Sequence, residues 1–189
     1  MNYFSKTVAI NGNTMATVSA KFENYFTPAG YAFSIWGLIY LGLLGFIVYQ
    51  SRGLFGNKEH RKVVGQVGWW FIISCAANVL WIFAWLNEYI GISVIIMLLL
   101  LFSLIKIILN TRMELDDESL STISFGWWPF SFYSGRVSVA LIANIAAYLT
   151  SNGLNGFGAS GIIWPILMII VAGSVHLTIT STRNMLRVS

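Results

Sequence analysis

Five apolar runs, each about twenty residues long, constrain this chain more than any other feature. They fall at about 31–50, 66–87, 90–110, 125–149 and 160–181. An α-helix rises about 1.5 Å per residue, so each run reaches across roughly 30 Å of hydrocarbon. Hydrophobic residues make up 57% of the 189 positions and charged residues only 10%, where a soluble domain carries about 25% charged residues. One water-soluble core could not hide that much apolar surface, and lipid is the simplest solvent for it. The expected fold is all-α, a polytopic transmembrane helical bundle with five spanning helices. Residues 1–30 form an external N-terminal segment, 31–182 the bundle and 183–189 a cytoplasmic tail.

The second and third runs are joined only by "NEYI", Asn87 to Ile90, which demands a tight antiparallel hairpin. Orientation follows from the basic residues. Five spans put Arg52, Lys58, Arg61, Lys62, Lys106, Arg112, Arg183 and Arg187 on one side, against Lys6 and Lys21 on the other. The excess marks the cytoplasmic face, so the N-terminus is expected outside and the C-terminus inside. Trp69, Trp70, Trp127 and Trp128 then fall at the inner interface, and Tyr89 and Trp164 at the outer one, where aromatic belts form.

Several chemistries are set aside. The single cysteine, Cys75, excludes an intrachain disulfide. The net charge of +4 lies in loops between apolar runs, which points to membrane topology and not to nucleic acid. Residues 1–27 hold no apolar core of a signal peptide, and Asn11-Gly12-Asn13-Thr14 reads as a turn. Lys106 sits at the cytoplasmic end of its run and the last run has no lysine, which argues against a retinal Schiff base. His60 lies in a loop, so His176 has no partner for bis-histidine haem ligation. No Walker motif, nucleophile elbow or zinc-ligand cluster is present. The acidic run Glu114 to Ser119 reads as a solvated loop that caps the next helix.

What remains is a set of polar and aromatic positions inside the apolar runs. Phe33, Trp36 and Tyr40 share one face of the first helix, just after the turn signal Pro28-Ala29-Gly30. Ser74, Asn78, Trp81 and Trp85 form a stripe on the second. Arg136, Ala140, Ala143, Asn144 and Ala147 lie near one face of the fourth, with Tyr148 beside them. Asn78 and Asn144 suit inter-helix hydrogen bonding as well as a ligand role. Trp36, Tyr40, Asn78, Trp81, Trp85, Asn144 and Tyr148 converge in depth. If their faces meet, they line an aromatic pocket beneath the N-terminal segment, suited to a flat, largely apolar ligand. Arg136 lies about 12 Å past the inner interface, at 1.5 Å for each of roughly eight residues. A charge at that depth either snorkels back to the surface or serves a function, here with His176 and a bound anion or carboxylated ligand.

The stretches "FTPAGYAFSIWGLIY", "AANVLW" and "WWPFSFYSGRVSVALIAN" resemble the TspO/MBR family of tryptophan-rich sensory or translocator proteins. The first resembles the family's Pro-rich helix entry with F-x-x-x-W and a tyrosine, the second its Asn-x-x-Trp helix, and the third its final helix, Ala-rich and ending in Asn. The resemblance covers about 26–150. The family's first helix precedes the Pro-rich entry, whereas residues 1–27 here are polar, so the chain is expected to lack that helix or to be a shortened form. Anchoring on Asn144 puts Arg136 where the family usually has a ligand-facing tryptophan.

The resemblance implies a membrane receptor or carrier in the bacterial inner membrane, binding a porphyrin or a sterol-like molecule. Helical faces, depth and the resemblance taken together give the expected ligand residues as Phe33, Trp36, Tyr40, Asn78, Trp81, Trp85, Arg136, Ala140, Asn144 and Tyr148, with Arg136 a departure from the family pattern. No cofactor is required, and porphyrin or haem would be a ligand. Expected partners are the bilayer, a hydrophobic small molecule, and a second copy or a membrane subunit. Two alternatives stand beside this reading: a structural or permease-like subunit whose stripes pack partner helices, and an enzyme that degrades porphyrin photochemically.

Overall fold

The fold is organised around one helix, α4 (Ile90–Asn110), which has the highest mean hydropathy of the helices long enough to span a bilayer, 3.0. Its Ser93, Met97, Leu100, Ser103, Leu104 and Ile107 recur at spacings of three and four, apart from the adjacent Ser103 and Leu104, and all are fully buried. That stripe packs between α3 (Lys58–Leu86) and α6 (Trp128–Ser151). Ser93, Ser103 and Thr111 each donate to a carbonyl one turn back, which keeps their hydroxyls satisfied inside an apolar helix.

The computed structural model describes residues 12–23, 27, 35–51, 58–111 and 120–153, with 58–63 described by backbone only. Three described helical stretches are long and apolar enough to cross a membrane: Val64–Leu86, Ile90–Asn110 and Leu120–Ser151. A shorter apolar helix, α2 (Ile35–Ser51), has 17 residues, the lower end of spanning length. The described residues are almost entirely helical, as expected. The run at about 160–181, the tail 183–189, Glu114 to Ser119, Phe33, Trp164 and His176 lie outside the described residues.

The α3–α4 hairpin forms where "NEYI" demands it. Tyr89 N–H bonds the Ala84 carbonyl at 2.9 Å and Glu88 N–H bonds that of Trp85 at 3.0 Å. This is the Schellman pattern, with Glu88 in the left-handed position at φ 61°. That position favours glycine, yet it holds a glutamate.

Three local features depart from the expected straight spans. Helix α3 is kinked at Gly68, whose φ of 48° and ψ of −140° are open mainly to glycine. The fourth run begins earlier than expected, with one turn of α-helix, α5 (Leu120–Thr122), followed by a π-helical turn, Ile123–Trp127, leading into α6. The π turn changes the register of the two tryptophans: Trp127 is buried at 6% exposure, while Trp128 stays open at 55%. Among the described belt candidates, only the latter, with Trp69 and Tyr89, has the exposure an interface belt needs.

Finally, the N-terminal segment contains a short helix that its polarity concealed, α1 (Met15–Lys21). Thr14 caps it, accepting from Thr17 N–H at 3.2 Å, while Thr17 Oγ1 accepts from Thr14 N–H at 2.7 Å. Its Val18 is buried against Trp85, Leu86, Ile90 and Ala147.

Candidate functional site

Helices α2, α3 and α6 bring three of the expected aromatic residues into one wall. Trp36 and Trp81 are stacked, with ring centroids 5.5 Å apart and planes 25° apart. Trp81 and Trp85, one turn apart on α3, are 6.3 Å apart at 29°. Tyr133 of α6 closes on Trp36 edge-on at 6.1 Å. All four rings are buried. Offset stacks and edge contacts are the arrangements an aromatic quadrupole favours.

This wall encloses a cavity. Trp36, Trp81 and Trp85 form one side of it, and Arg136, Ala140, Ala143, Asn144 and Ala147 of α6 the other. The alanines at i, i+3 and i+7 leave room that larger side chains would fill. The top is closed by Met15 and Ser19 of α1, with Phe22 and Thr27. The cavity, partly open to the outside, has a volume of ≈ 30 Å³, room for a water molecule or two and not for an organic ligand.

Arg136 occupies the deep part of the α6 face. Its guanidinium carbon lies 5.7 Å from the Trp36 ring centroid, a cation–π contact. The side chain therefore turns toward the Trp36 ring while staying partly exposed. Trp81 is 5% exposed, and its indole N–H has no hydrogen-bond partner among the described residues. Asn144 is committed to packing: its Oδ1 accepts from Ser93 at 2.9 Å, and its Nδ2 lies 3.9 Å from the Met97 sulfur.

Six of the expected ligand residues thus meet at the cavity: Trp36, Trp81, Trp85, Arg136, Ala140 and Asn144. Asn78 and Tyr40 stand behind it. Asn78 Nδ2 donates to Tyr40 Oη at 2.9 Å, tying α3 to α2 beside the Trp36 ring. Tyr148 is outside the wall, 41% exposed and lying over Gly91, where an added Cβ would come 3.0 Å from its ring. The glycine leaves the space that draws the tyrosine away.

Met15, Ser19 and Phe22 were not among the expected site residues. The signal for them is in the sequence: a Thr-x-x-Thr cap followed by Met15, Val18 and Phe22 at helical spacing. Helix α1 is seated by polar contacts at the α3–α4 turn. Asn13 Nδ2 donates to the Leu86 carbonyl at 3.0 Å and to Glu88 Oε1 at 3.1 Å, and Lys21 pairs with Glu88 Oε2. Trp85 Nε1 reaches the Met15 carbonyl at 3.4 Å. The hydrogen bond from Lys21, with a smaller contribution from Asn13, holds the Glu88 carboxyl below its ordinary range.

The family model described as TSPO-like protein matches residues 1–189, the whole chain. The chain belongs to the TSPO-like family. It is an integral membrane protein, as that membership and its three spanning-length apolar helices together indicate. The match extends beyond the 26–150 region that carries the resemblance in sequence. Searches of curated protein sequences and of solved structures find no match. Among the described residues, no three His, Cys, Asp or Glu side chains come together to ligate a metal. What this TSPO-like site offers a ligand is stacking surface, one cation and an indole donor.

Proposed function

We propose that this TSPO-like protein is a membrane receptor or carrier for a flat hydrophobic ligand, such as a porphyrin or a sterol-like molecule. The observation that carries the reading is the stacked Trp36–Trp81 pair, continued by Trp85, on the wall of a cavity closed by a short helix. Stacked indoles give a flat ring a large contact area with few rotatable bonds to immobilise. A cavity of ≈ 30 Å³ admits no such ligand while α1 is seated, and on this reading α1 lifts to let it in. Its attachment suits that task. Helix α1 has seven residues and is held by a few side-chain contacts and one buried valine.

Topology fits the same reading. With the N-terminus outside, as the Lys and Arg distribution directs, α1 and the turn at Glu88 lie at the outer face of a bacterial inner membrane, and ligand enters from there. The test is titration of the detergent-solubilised protein with protoporphyrin, followed by tryptophan quenching, with a sterol as competitor. Saturable quenching supports the reading, and its absence overturns it.

A further inference from the structure

The cavity is built to distinguish the two ends of its ligand. Along α6, Ala147 packs beside Val18 of α1 at the top. Arg136 lies eleven residues earlier, roughly 16 Å deeper at 1.5 Å per residue. The cavity's one cation is therefore at its floor, and no carboxylate lines the wall among the described residues.

Two donor-bearing side chains there share one neighbour, the Trp36 ring. The Arg136 guanidinium stands over the Trp36 ring, and the same ring stacks on Trp81, whose N–H is buried without a partner among the described residues. A guanidinium has five N–H donors in a rigid fork that matches a carboxylate, so partners already present leave donors over. A buried N–H left unmatched is costly, and an acceptor arriving with the ligand relieves that cost. Asn144, which could have received a neutral polar group, is already engaged by Ser93 and Met97.

We propose that the cavity takes its ligand acid end first: a flat apolar body bearing a carboxylate, the anion held between the Arg136 guanidinium and the Trp81 indole N–H. The apolar body lies along Trp85 and the α6 alanines toward α1. This is the reverse of how a charged amphiphile sits in a bilayer, and it gives the half-buried arginine a purpose. The proposal rests on the aromatic-cavity reading above and specifies the chemical class of its ligand.

The experiment compares 1-pyrenebutanoic acid, ionised at neutral pH, with its methyl ester. Binding to the full chain in neutral detergent is read by tryptophan-to-pyrene energy transfer, corrected for partition into protein-free micelles. The acid should bind roughly ten- to a hundredfold tighter than the ester, the span expected for a charge-assisted hydrogen bond. Arg136→Gln should bring the ratio close to one, and Arg136→Lys should keep part of it. Trp81→Phe, which keeps a ring but removes the donor, should lower it several-fold.

Equal affinities in the wild type, or a ratio that Arg136→Gln leaves unchanged, would overturn the proposal while leaving the aromatic cavity standing. Saturable binding of neither probe would overturn both. Should Arg136→Gln fail to fold, the wild-type ratio and Trp81→Phe still decide.

Discussion

Asn78 on α3 donates a 2.9 Å hydrogen bond to the hydroxyl of Tyr40 on α2, and this bond braces the helix pair on which Trp36 and Trp81 stack. Both partners sit behind the cavity wall, so their effect on a ligand should be indirect. A Tyr40→Phe, Asn78→Ala double-mutant cycle should show a coupling of about 0.6 kcal/mol, and at most about 1.7, the range for side-chain bonds between membrane helices. Unfolding in mixed micelles measures it. A coupling near zero would mean that the bond does not hold the two helices together.

The Ser93–Asn144 bond joins α4 to α6 with both partners buried. Asn144→Ala should destabilise the bundle by about 1 kcal/mol, while Asn144→Leu should cost more by overfilling the space beside Met97. Because Asn144 also lines the cavity, Asn144→Ala should change ligand affinity too, though less than loss of a stacked indole, since its amide is engaged by α4.

Helix α1 should loosen in acid. The folded Glu88 carboxyl titrates below its ordinary range, so its contribution to docking is complete at neutral pH. That contribution is lost as pH falls through the lowered value. Lys21 is the one charged side chain shown against it among the described residues, with the neutral amide of Asn13 beside it. Protection of the Met15–Lys21 amides, measured as exchange corrected for its intrinsic pH dependence, should fall from pH 6 to pH 3, and Glu88→Gln should show the low protection already at pH 6. Equal protection factors at both pH values would remove Glu88 as the clasp.

Glu88→Gly separates two effects of one residue. Glycine relieves the left-handed backbone, which costs other residues about 1–2 kcal/mol, so the α3–α4 hairpin should gain stability. The same change removes the partner of Lys21 and Asn13, so α1 should exchange faster. Opposite signs in the two readouts are the expected outcome.

Much of this was legible in the sequence. The α3–α4 hairpin and the bounds of α4 followed from run length, because "NEYI" leaves no room for another connection. The cavity's Trp36, Trp81, Trp85, Arg136, Ala140 and Asn144 followed from helical spacing and depth. Other features were not legible, for physical reasons. Spacing gives a face but not what the face meets, so Tyr148 went to Gly91 and not to the cavity. A kink at Gly68 and a π turn before Trp128 leave hydropathy unchanged while rotating side chains. Helix α1 is too short to form without the surface it packs on, and its cap is easily read as part of a turn.

The measurement that most directly tests the central claim is a protoporphyrin titration of wild type, Trp81→Ala and Trp128→Ala in the same detergent. Trp81 is buried on the cavity wall, whereas Trp128 is 55% exposed and outside it. Losing a stacked indole should weaken binding roughly tenfold or more, so Trp81→Ala should shift the quenching midpoint by that factor while Trp128→Ala leaves it in place. An unchanged midpoint in Trp81→Ala, or an equal shift in both variants, would contradict a binding site between Trp36 and Trp81.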